Sequence, residues 1–245
     1  MTEATIPETG LSEVERVVDV FIAPTKTFTD ILRKSTWWLP CLIMVLSVVS
    51  AAWVVDRQVG YARVAENQIH QSPKQEERFN ELTPEQKAAQ LRGMTTGYRY
   101  TSYGAFAFIL IFVTIEALLY WASFNFGFGA STTFGKMFAV VMYAGMPRLI
   151  SGVLAIVLLL AGVNIEGYDM RNPVGTNLAY YMPDAAPWLK AGLSFFDVIG
   201  LWCLALAIIG TAIVAKVSRG QAAAVVLGWW LIGLIATIAV TAATT

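Results

Sequence analysis

Five long apolar segments constrain the fold of this chain more than any other feature. Each is close to the roughly 20 residues that a helix needs to cross the hydrocarbon core of a bilayer. Hydrophobic residues make up 56% of the 245 residues and charged residues only 14%, whereas soluble domains carry about 25% charged residues. We therefore predict an all-α, polytopic membrane protein with five transmembrane helices, preceded by N-terminal interfacial amphipathic helices. The predicted spans are residues 37–55, 105–126, 137–163, 194–217 and 222–243.

Residues 1–36 have the pattern of an amphipathic segment that is too polar to span a membrane. Over residues 11–23, six apolar side chains fall mainly on one helical face, and charged side chains occupy much of the rest. Pro24 ends this helix, and a second short amphipathic piece follows. We expect both pieces to lie on the membrane surface, with packing on a soluble partner as the alternative. The charged side chains of the first piece are Glu13, Glu15, Arg16 and Asp19.

Residues 37–245 are predicted to form a five-helix membrane domain with one large polar, extracytoplasmic loop at residues 56–103. Part of this loop has a helix start signal, because Thr83 can cap a helix, Pro84 suits its first turn and Gln86 can complete a capping box. The first ten residues are acidic and polar, without the basic region and apolar core of a signal peptide, so the first span is predicted to be retained.

The charge pattern gives two answers about orientation. Five spans put the two ends of the chain on opposite sides of the membrane. The long loop at residues 56–103 carries seven cations, which alone would place that loop in the cytoplasm. Cations in short loops near span ends are the better guide, and they favour a cytoplasmic N-terminus. Those cations are Arg33, Lys34, Lys136, Lys216 and Arg219.

A charged pair is predicted inside the membrane. Glu116 and Arg148 each lie roughly 11 or 12 residues, about 17 Å, from the same side of two adjacent spans. They are therefore level with each other, and pairing would lower the cost of burying them. Pro147 cannot donate to the carbonyl of Tyr143, so that carbonyl is predicted to be free at a kink loosened by Gly145. A structural ion pair and a substrate, ion or proton site are both open interpretations.

The remaining polar residues of the spans suggest little chemistry. Asp197 lies in the first turn of the fourth span and is predicted to cap that helix or to lie near the interface. Cys41 and Cys203 fall within apolar runs, where they act as small hydrophobic residues, and His70 has no partner pattern. No catalytic or metal-binding motif is present, so we expect neither an enzyme nor a bound cofactor. A net charge of zero gives no reason to expect nucleic acid as a partner.

Five segments in a fixed order resemble the Yip1 domain family in its bacterial form. They are APTKTF before the first span, YAGMPRLI in the third, NPVGTNLAYYMP in the loop that follows, FFDVIGLWCLALAIIG, and VSRGQAAAVVLGWWLIG. The resemblance covers most of the chain and implies a five-helix membrane domain with a cytoplasmic N-terminus. Eukaryotic relatives bind Rab GTPases, but this chain lacks the acidic DDYD-type element and the Gly-Pro typical of them. That difference argues against a Rab-type partner and favours the plasma (inner) membrane of a bacterium.

The family resemblance and the pattern of apolar and charged residues together lead to a functional expectation. We expect a non-enzymatic integral membrane scaffold or accessory factor that organises membrane or assists a transport or export assembly. Its expected partners are the lipid bilayer and either another membrane protein or a second copy of the chain. The alternative is a small transporter or channel with an intramembrane site at Glu116 and Arg148.

Overall fold

The computed structural model describes residues 10–71, 73–163 and 165–244. All the regular secondary structure of the described residues is helical, and none of it is β-strand. Five helical segments are long and apolar enough to cross a membrane, which confirms the predicted fold class. The first nine residues of the predicted segment at 1–36 lie outside the described residues. The five segments are Trp38–Gln58, Ala105–Gly127, Phe134–Leu160, Val198–Ala215 and Arg219–Thr244.

The chain divides into two compact units. Unit 1 comprises Met1–Met44, Ile109–Arg148 and Asp197–Thr237, and unit 2 comprises Val45–Phe108, Leu149–Phe196 and Ile238–Thr245. Helices α3 (Trp38–Gln58), α7 (Ala105–Ala122) and α12 (Arg219–Thr244) contribute several residues to both units, and α9 (Arg148–Leu160) contributes its first residue, Arg148, to unit 1. The other helices are α1 (Glu13–Ile22), α2 (Pro24–Arg33), α4 (Tyr61–His70), α5 (Pro73–Asn80), α6 (Pro84–Tyr103), α8 (Phe134–Ala144), α10 (Pro187–Leu193) and α11 (Val198–Ala215).

Helices α1 and α2 form a helical hairpin in unit 1. Ser12 caps α1 through a capping box with Glu15, which satisfies two backbone N–H groups of the helix start. Only Ala23 separates the two helices, because Pro24 cannot continue α1 but fits the first turn of α2. The sequence prediction of two short helices divided at Pro24 is therefore confirmed.

The hairpin packs on two spanning helices of unit 1. A Cβ atom added to Gly210 of α11 would lie 2.8 Å from the Phe28 ring and 2.7 Å from Val140 of α8. Glycine at this position thus allows α2 to approach α11 closely. Phe21 and Trp202 add an edge-to-face ring contact with centroids 5.9 Å apart. The N-terminal helices are consequently part of the packed unit.

Unit 2 contains the whole polar loop predicted at residues 56–103, and the described residues of this loop are mainly helical. Thr83 and Gln86 form the predicted capping box of α6, with Pro84 in its first turn, so that prediction is confirmed. Gly60 has a φ of +80°, a left-handed value that favours glycine, and it lets the chain turn from α3 into α4. The core of this unit contains Val54, Val55, Val59, Tyr61, Val64, Leu159 and Tyr168.

Polar bonds join the segments of unit 2. The Asn67 side-chain amide donates to the backbone carbonyls of Glu166 and Tyr168, at 2.9 and 3.1 Å. Arg99 Nη2 lies 2.7 Å from Asp56 Oδ1, and this pair is largely exposed. Burial raises the pKa of the Tyr168 hydroxyl to about 12, and the neighbouring Tyr61 and Asp169 add to the shift.

Candidate functional site

The two predicted intramembrane charges do not form a direct ion pair. The ion pairs among the described residues do not include one between Glu116 and Arg148. Glu116 is half-buried and accepts a hydrogen bond from the Tyr120 hydroxyl at 2.9 Å, one turn further along α7. Arg148 is exposed. Both charges act electrostatically on the Tyr120 hydroxyl, so the two residues share a neighbourhood without a shared bond. A local partner on the same helix satisfies Glu116.

The predicted kink lies where the third span is interrupted, but its free carbonyl is absent. Helix α8 ends at Ala144, and α9 begins at Arg148. The Tyr143 carbonyl accepts the N–H of Met146 at 3.1 Å, so the prediction that it is free is wrong. The missing N–H of Pro147 is compensated because the chain tightens to bonds between residues three apart. The Arg148 N–H likewise donates to the Gly145 carbonyl at 3.1 Å.

Asp197 is a helix cap. Its carboxylate accepts the backbone N–H of Ile199 at 3.3 Å and that of Gly200 at 3.1 Å, at the start of α11. An acidic N-cap satisfies N–H groups that have no partner within the helix and suits the positive end of its dipole. The structure thus places Asp197 in one of the two roles that the sequence indicated, and this role is structural.

The most deeply buried charges of unit 1 belong to the hairpin. Arg16 is fully buried and Asp30 is 4% exposed. Arg16 Nε donates to Asp30 Oδ2 at 2.6 Å. Nη2 of Arg16 lies 2.5 Å from the same oxygen, as an ion-pair contact without hydrogen-bond geometry. Arg33 Nε donates to Asp30 Oδ1 at 3.0 Å. One carboxylate therefore meets two guanidinium groups inside the hairpin.

This pair extends into a larger group, the hairpin network, which we define as Glu13, Arg16, Asp30, Thr36 and Tyr143. Arg16 Nη1 donates to the Thr36 hydroxyl at 2.6 Å, and that hydroxyl donates to Glu13. The Tyr143 hydroxyl of α8 donates to the other Glu13 oxygen at 3.3 Å. Tyr143 therefore contributes through its hydroxyl rather than through its carbonyl. The network joins α1, α2, the entry to α3, and α8.

Two guanidinium groups, those of Arg33 and Arg16, lower the pKa of the Asp30 carboxyl. Burial alone would raise the pKa of the Asp30 carboxyl, but hydrogen bonds from Arg33 and Arg16, together with their charges, outweigh it. The pKa is held below the ordinary carboxyl value. A buried ion pair is weak evidence for net stability, but removing one partner from such a pair is costly. The arrangement can fix the position of the hairpin, and its charges are directed at one another.

Helix α1 turns the charged side chain of Arg16 inward. Its buried side chains are Arg16 and Val20, which face the rest of unit 1. Three apolar side chains point outward, with Val14 65%, Val18 52% and Ile22 75% exposed. We call these three residues the outward stripe. They lie one turn apart along a single face of the helix, and such an arrangement is the reverse of a helix packed on a protein in water.

Sequence reasoning missed the hairpin network for a definable reason. It assigned Glu13 and Arg16 to a polar face that would meet water. The pair of Arg16 with Asp30 requires α1 and α2 to fold back on each other, and no periodic pattern within one helix reports that. The available signal was weak: opposite charges 14 residues apart on either side of a proline.

Spanning helices, helical loops and buried network together define a class of protein. The chain is a multi-pass, all-α membrane protein. The sequence model of the Yip1 domain matches residues 18–240. The chain therefore belongs to the Yip1 domain family, as its sequence segments suggested. No curated protein and no solved structure matches it.

Proposed function

We propose that this protein is a non-enzymatic scaffold of a bacterial plasma membrane, which organises the membrane around it or assists a transport or export assembly. The outward stripe of α1 carries this proposal. A helix that turns an arginine inward and three apolar side chains outward is suited to contact lipid or another membrane protein. The Yip1 family membership supports a membrane-associated role.

The hairpin network supports the same proposal. Arg16 and Asp30 are shielded from solvent, and their hydrogen-bonding groups are directed at each other, at Arg33 and at Thr36. Groups used in this way hold a surface in position, whereas a catalytic group has to reach a substrate. The network thus acts as the internal support of the surface that α1 presents.

Reconstitution tests membrane organisation directly. The purified protein is incorporated into liposomes at rising protein-to-lipid ratios, and vesicle diameters are measured by cryo-electron microscopy. We expect the distribution to shift to smaller diameters with the wild type and less so with Val18→Glu, which places a charge in the outward stripe. Gly228→Ala is the matched control, because no atom lies within 4 Å of the added Cβ. Unchanged diameters with the wild type would remove the membrane-organising part of the proposal.

If the protein assists a transport or export assembly, its partner would contact the polar loop at residues 56–103. An acidic surface lies at the end of α5, formed by half-buried Glu76, exposed Glu77 and, just after the helix, exposed Glu81. A photo-crosslinker at Glu77 in cells should yield one reproducible adduct with a membrane protein or with a second copy. A crosslinker at Lys190, also in unit 2, is the control. Equal, diffuse labelling at both positions argues against a specific assembly.

The proposed orientation places the N-terminus in the cytoplasm. Reporter enzymes that are active only outside the plasma membrane can be fused after Asn80 and after Arg219. We expect activity at Asn80, in the polar loop, and none at Arg219. The opposite pattern would reverse the orientation and would require the outward stripe to contact the other leaflet.

A small transporter or channel is the second candidate, and one observation favours it. Arg148 lies within the third spanning segment and is exposed, with no ion pair to any other described residue. A cation at that depth needs a partner, water or a ligand. The test is solute or ion flux in proteoliposomes for the wild type and for Glu116→Gln, with Arg99→Gln in the polar loop as the control. Flux that depends on Glu116 would support a transporter over a scaffold.

A further inference from the structure

We propose that α1 is embedded in one leaflet, with the outward stripe among acyl chains and the exposed cations of α2 at anionic lipid headgroups. This inference deepens the proposed function, because it names the lipid contact on which membrane organisation would rest. It assigns the two helices of the hairpin to different environments. The cations are Lys26, Arg33 and Lys34.

The first argument is the contrast between the two helices. In α1 the inward face holds the charged Arg16, and the outward stripe is apolar, with exposed Glu15 at its border. In α2 the inward residues include Phe28 and Ile31, both fully buried, and the outward residues include Lys26 and Arg33. An apolar outward face suits hydrocarbon, and a cationic outward face suits headgroups and water. The hairpin as a whole is therefore amphipathic across its two helices.

The second argument is that the hairpin packs against a spanning helix within its apolar segment. Phe28 packs at Gly210, about 7.5 Å along the helix from the end of α11 at Ala215. The hairpin thus adjoins a spanning helix at a depth inside the apolar segment. Because α2 packs on α11 there, the outward stripe of the same hairpin would lie beside the surroundings of an apolar spanning segment.

The third argument is the placement of interfacial groups at the hairpin's exit. Trp37 and Trp38 follow α2 directly and are 40% and 53% exposed. Tryptophan is enriched at the boundary between acyl chains and headgroups. Arg33 and Lys34, just before them, are therefore placed at headgroup level, where a cation attracts anionic lipids.

Two acidic residues of α1 are compatible with this placement. Glu15 is exposed, but its carboxylate accepts the Ser12 N–H in the capping box at 2.7 Å, which lowers its pKa, and the charge of Lys26 acts on it. Glu13 lies within the hairpin network and 4.0 Å from Lys34 Nζ. The three residues of the outward stripe are uncharged, whereas exposed Glu15 and half-buried Asp19 lie at the polar border of the face assigned to acyl chains.

Spin-label accessibility tests the acyl contact. Single cysteines at Val18, Ile22 and Lys26, with the native Cys41 and Cys203 replaced by alanine, are labelled in vesicles of phosphatidylcholine and phosphatidylglycerol. We expect labels at Val18 and Ile22 to collide more with oxygen, which partitions into lipid, than with a water-soluble nickel chelate. The label at Lys26 should show the reverse. All three positions are exposed or on the surface of the hairpin, so the label itself should not unfold it.

Other outcomes overturn the inference and identify what covers α1. Strong collisions with the nickel chelate at Val18 mean that the stripe faces water. Weak collisions with both agents mean that protein covers it. Dipolar broadening that grows with protein density would then identify a second copy, and its absence would identify another protein.

Lipid retention tests the headgroup contact. In native mass spectrometry, Lys26→Gln combined with Lys34→Gln should lower the retention of phosphatidylglycerol relative to phosphatidylcholine several-fold. Lys190→Gln, in unit 2, is the control and should leave the ratio unchanged. Equal ratios in the wild type and the double variant contradict the anionic preference. If α1 proves to be lipid-embedded while vesicle diameters stay constant, the lipid contact stands and the membrane-organising function fails.

Discussion

The two units each contain an arginine–carboxylate pair, and the pairs differ in burial rather than in distance. In unit 1, Arg16 Nε lies 2.6 Å from Asp30 Oδ2, and the two side chains are 0% and 5% exposed. In unit 2, Arg99 Nη2 lies 2.7 Å from Asp56 Oδ1, and the side chains are 54% and 21% exposed. Exposed pairs contribute little, whereas breaking a buried pair leaves a charge without compensation. Similar geometry therefore predicts very different consequences of mutation.

Arg16→Met should have the largest effect. It leaves Asp30 buried with only Arg33 as a cationic partner and removes a donor from Thr36. We expect a loss of about 3–5 kcal/mol in the free energy of unfolding, measured by denaturant unfolding in mild detergent. The double variant Arg16→Met/Asp30→Leu should recover much of this loss, because the charge left without its partner is that of Arg33, whose side chain is 45% exposed. Equal losses in the single and double variants would contradict a role for the pair.

Acid should release the hairpin by removing the same pair. The folded-state pKa of Asp30 lies below its ordinary value, so its contribution to stability is complete above the ordinary carboxyl pKa. It is lost as the pH falls through the lowered folded-state pKa. A fluorophore at Ile22 should report movement of α1 in that acidic range. In Asp30→Asn the transition should disappear, and its persistence would assign it to another carboxyl group.

Alkali should act on unit 2 instead. The pKa of Tyr168 is raised to about 12 from an ordinary value of 10.0, so the folded state resists its ionisation. The stability that Tyr168 contributes is present below pH 10 and is lost as the pH rises towards 12. The loss should be roughly 2–3 kcal/mol, at about 1.4 kcal/mol per pKa unit. In Tyr168→Phe the alkaline decline in unfolding free energy should be shallower, and an unchanged decline would exclude this residue as its source.

Gly210→Ala tests the packing of the hairpin rather than its charges. The added methyl group would meet Phe28 and Val140 at less than 3 Å, so α2 would have to shift. We expect a net cost of about 1–2 kcal/mol, because overpacking outweighs the better helix propensity of alanine. Gly228→Ala, whose Cβ meets no atom within 4 Å, should be neutral or slightly stabilising in the same unfolding measurement.

Arg99→Met should have the smallest effect. Its pair with Asp56 is exposed, and such pairs contribute at most about 1 kcal/mol. The unfolding free energy should therefore change much less than in Arg16→Met. A loss as large as that of Arg16→Met would show that burial does not distinguish the two pairs.

The sequence predicted the elements of the fold better than the bonds between them. The five spans and the capping box of α6 follow from hydropathy and local helix chemistry, both of which are properties of contiguous residues. The ion pair of Arg16 with Asp30 depends on two helices folding together, and the Tyr143 hydroxyl reaches Glu13 across 130 residues. The prediction of a free carbonyl at Tyr143 was wrong because a proline-interrupted helix can tighten locally, so that the carbonyl accepts a neighbouring N–H. Asp197, in contrast, was predictable as a cap from its position alone.

The hairpin network combines contacts of very different separation along the chain, and this sets an order of assembly during synthesis. Arg16 and Asp30 are 14 residues apart, so the hairpin can close as soon as it leaves the ribosome. Its remaining partner in the network, Tyr143, follows Glu13 by 130 residues. Until Tyr143 and the later helix α11 are made, the nascent chain carries a hairpin with an apolar surface and without its docking site. Insertion machinery or the leaflet itself must hold that surface while the later spans are made.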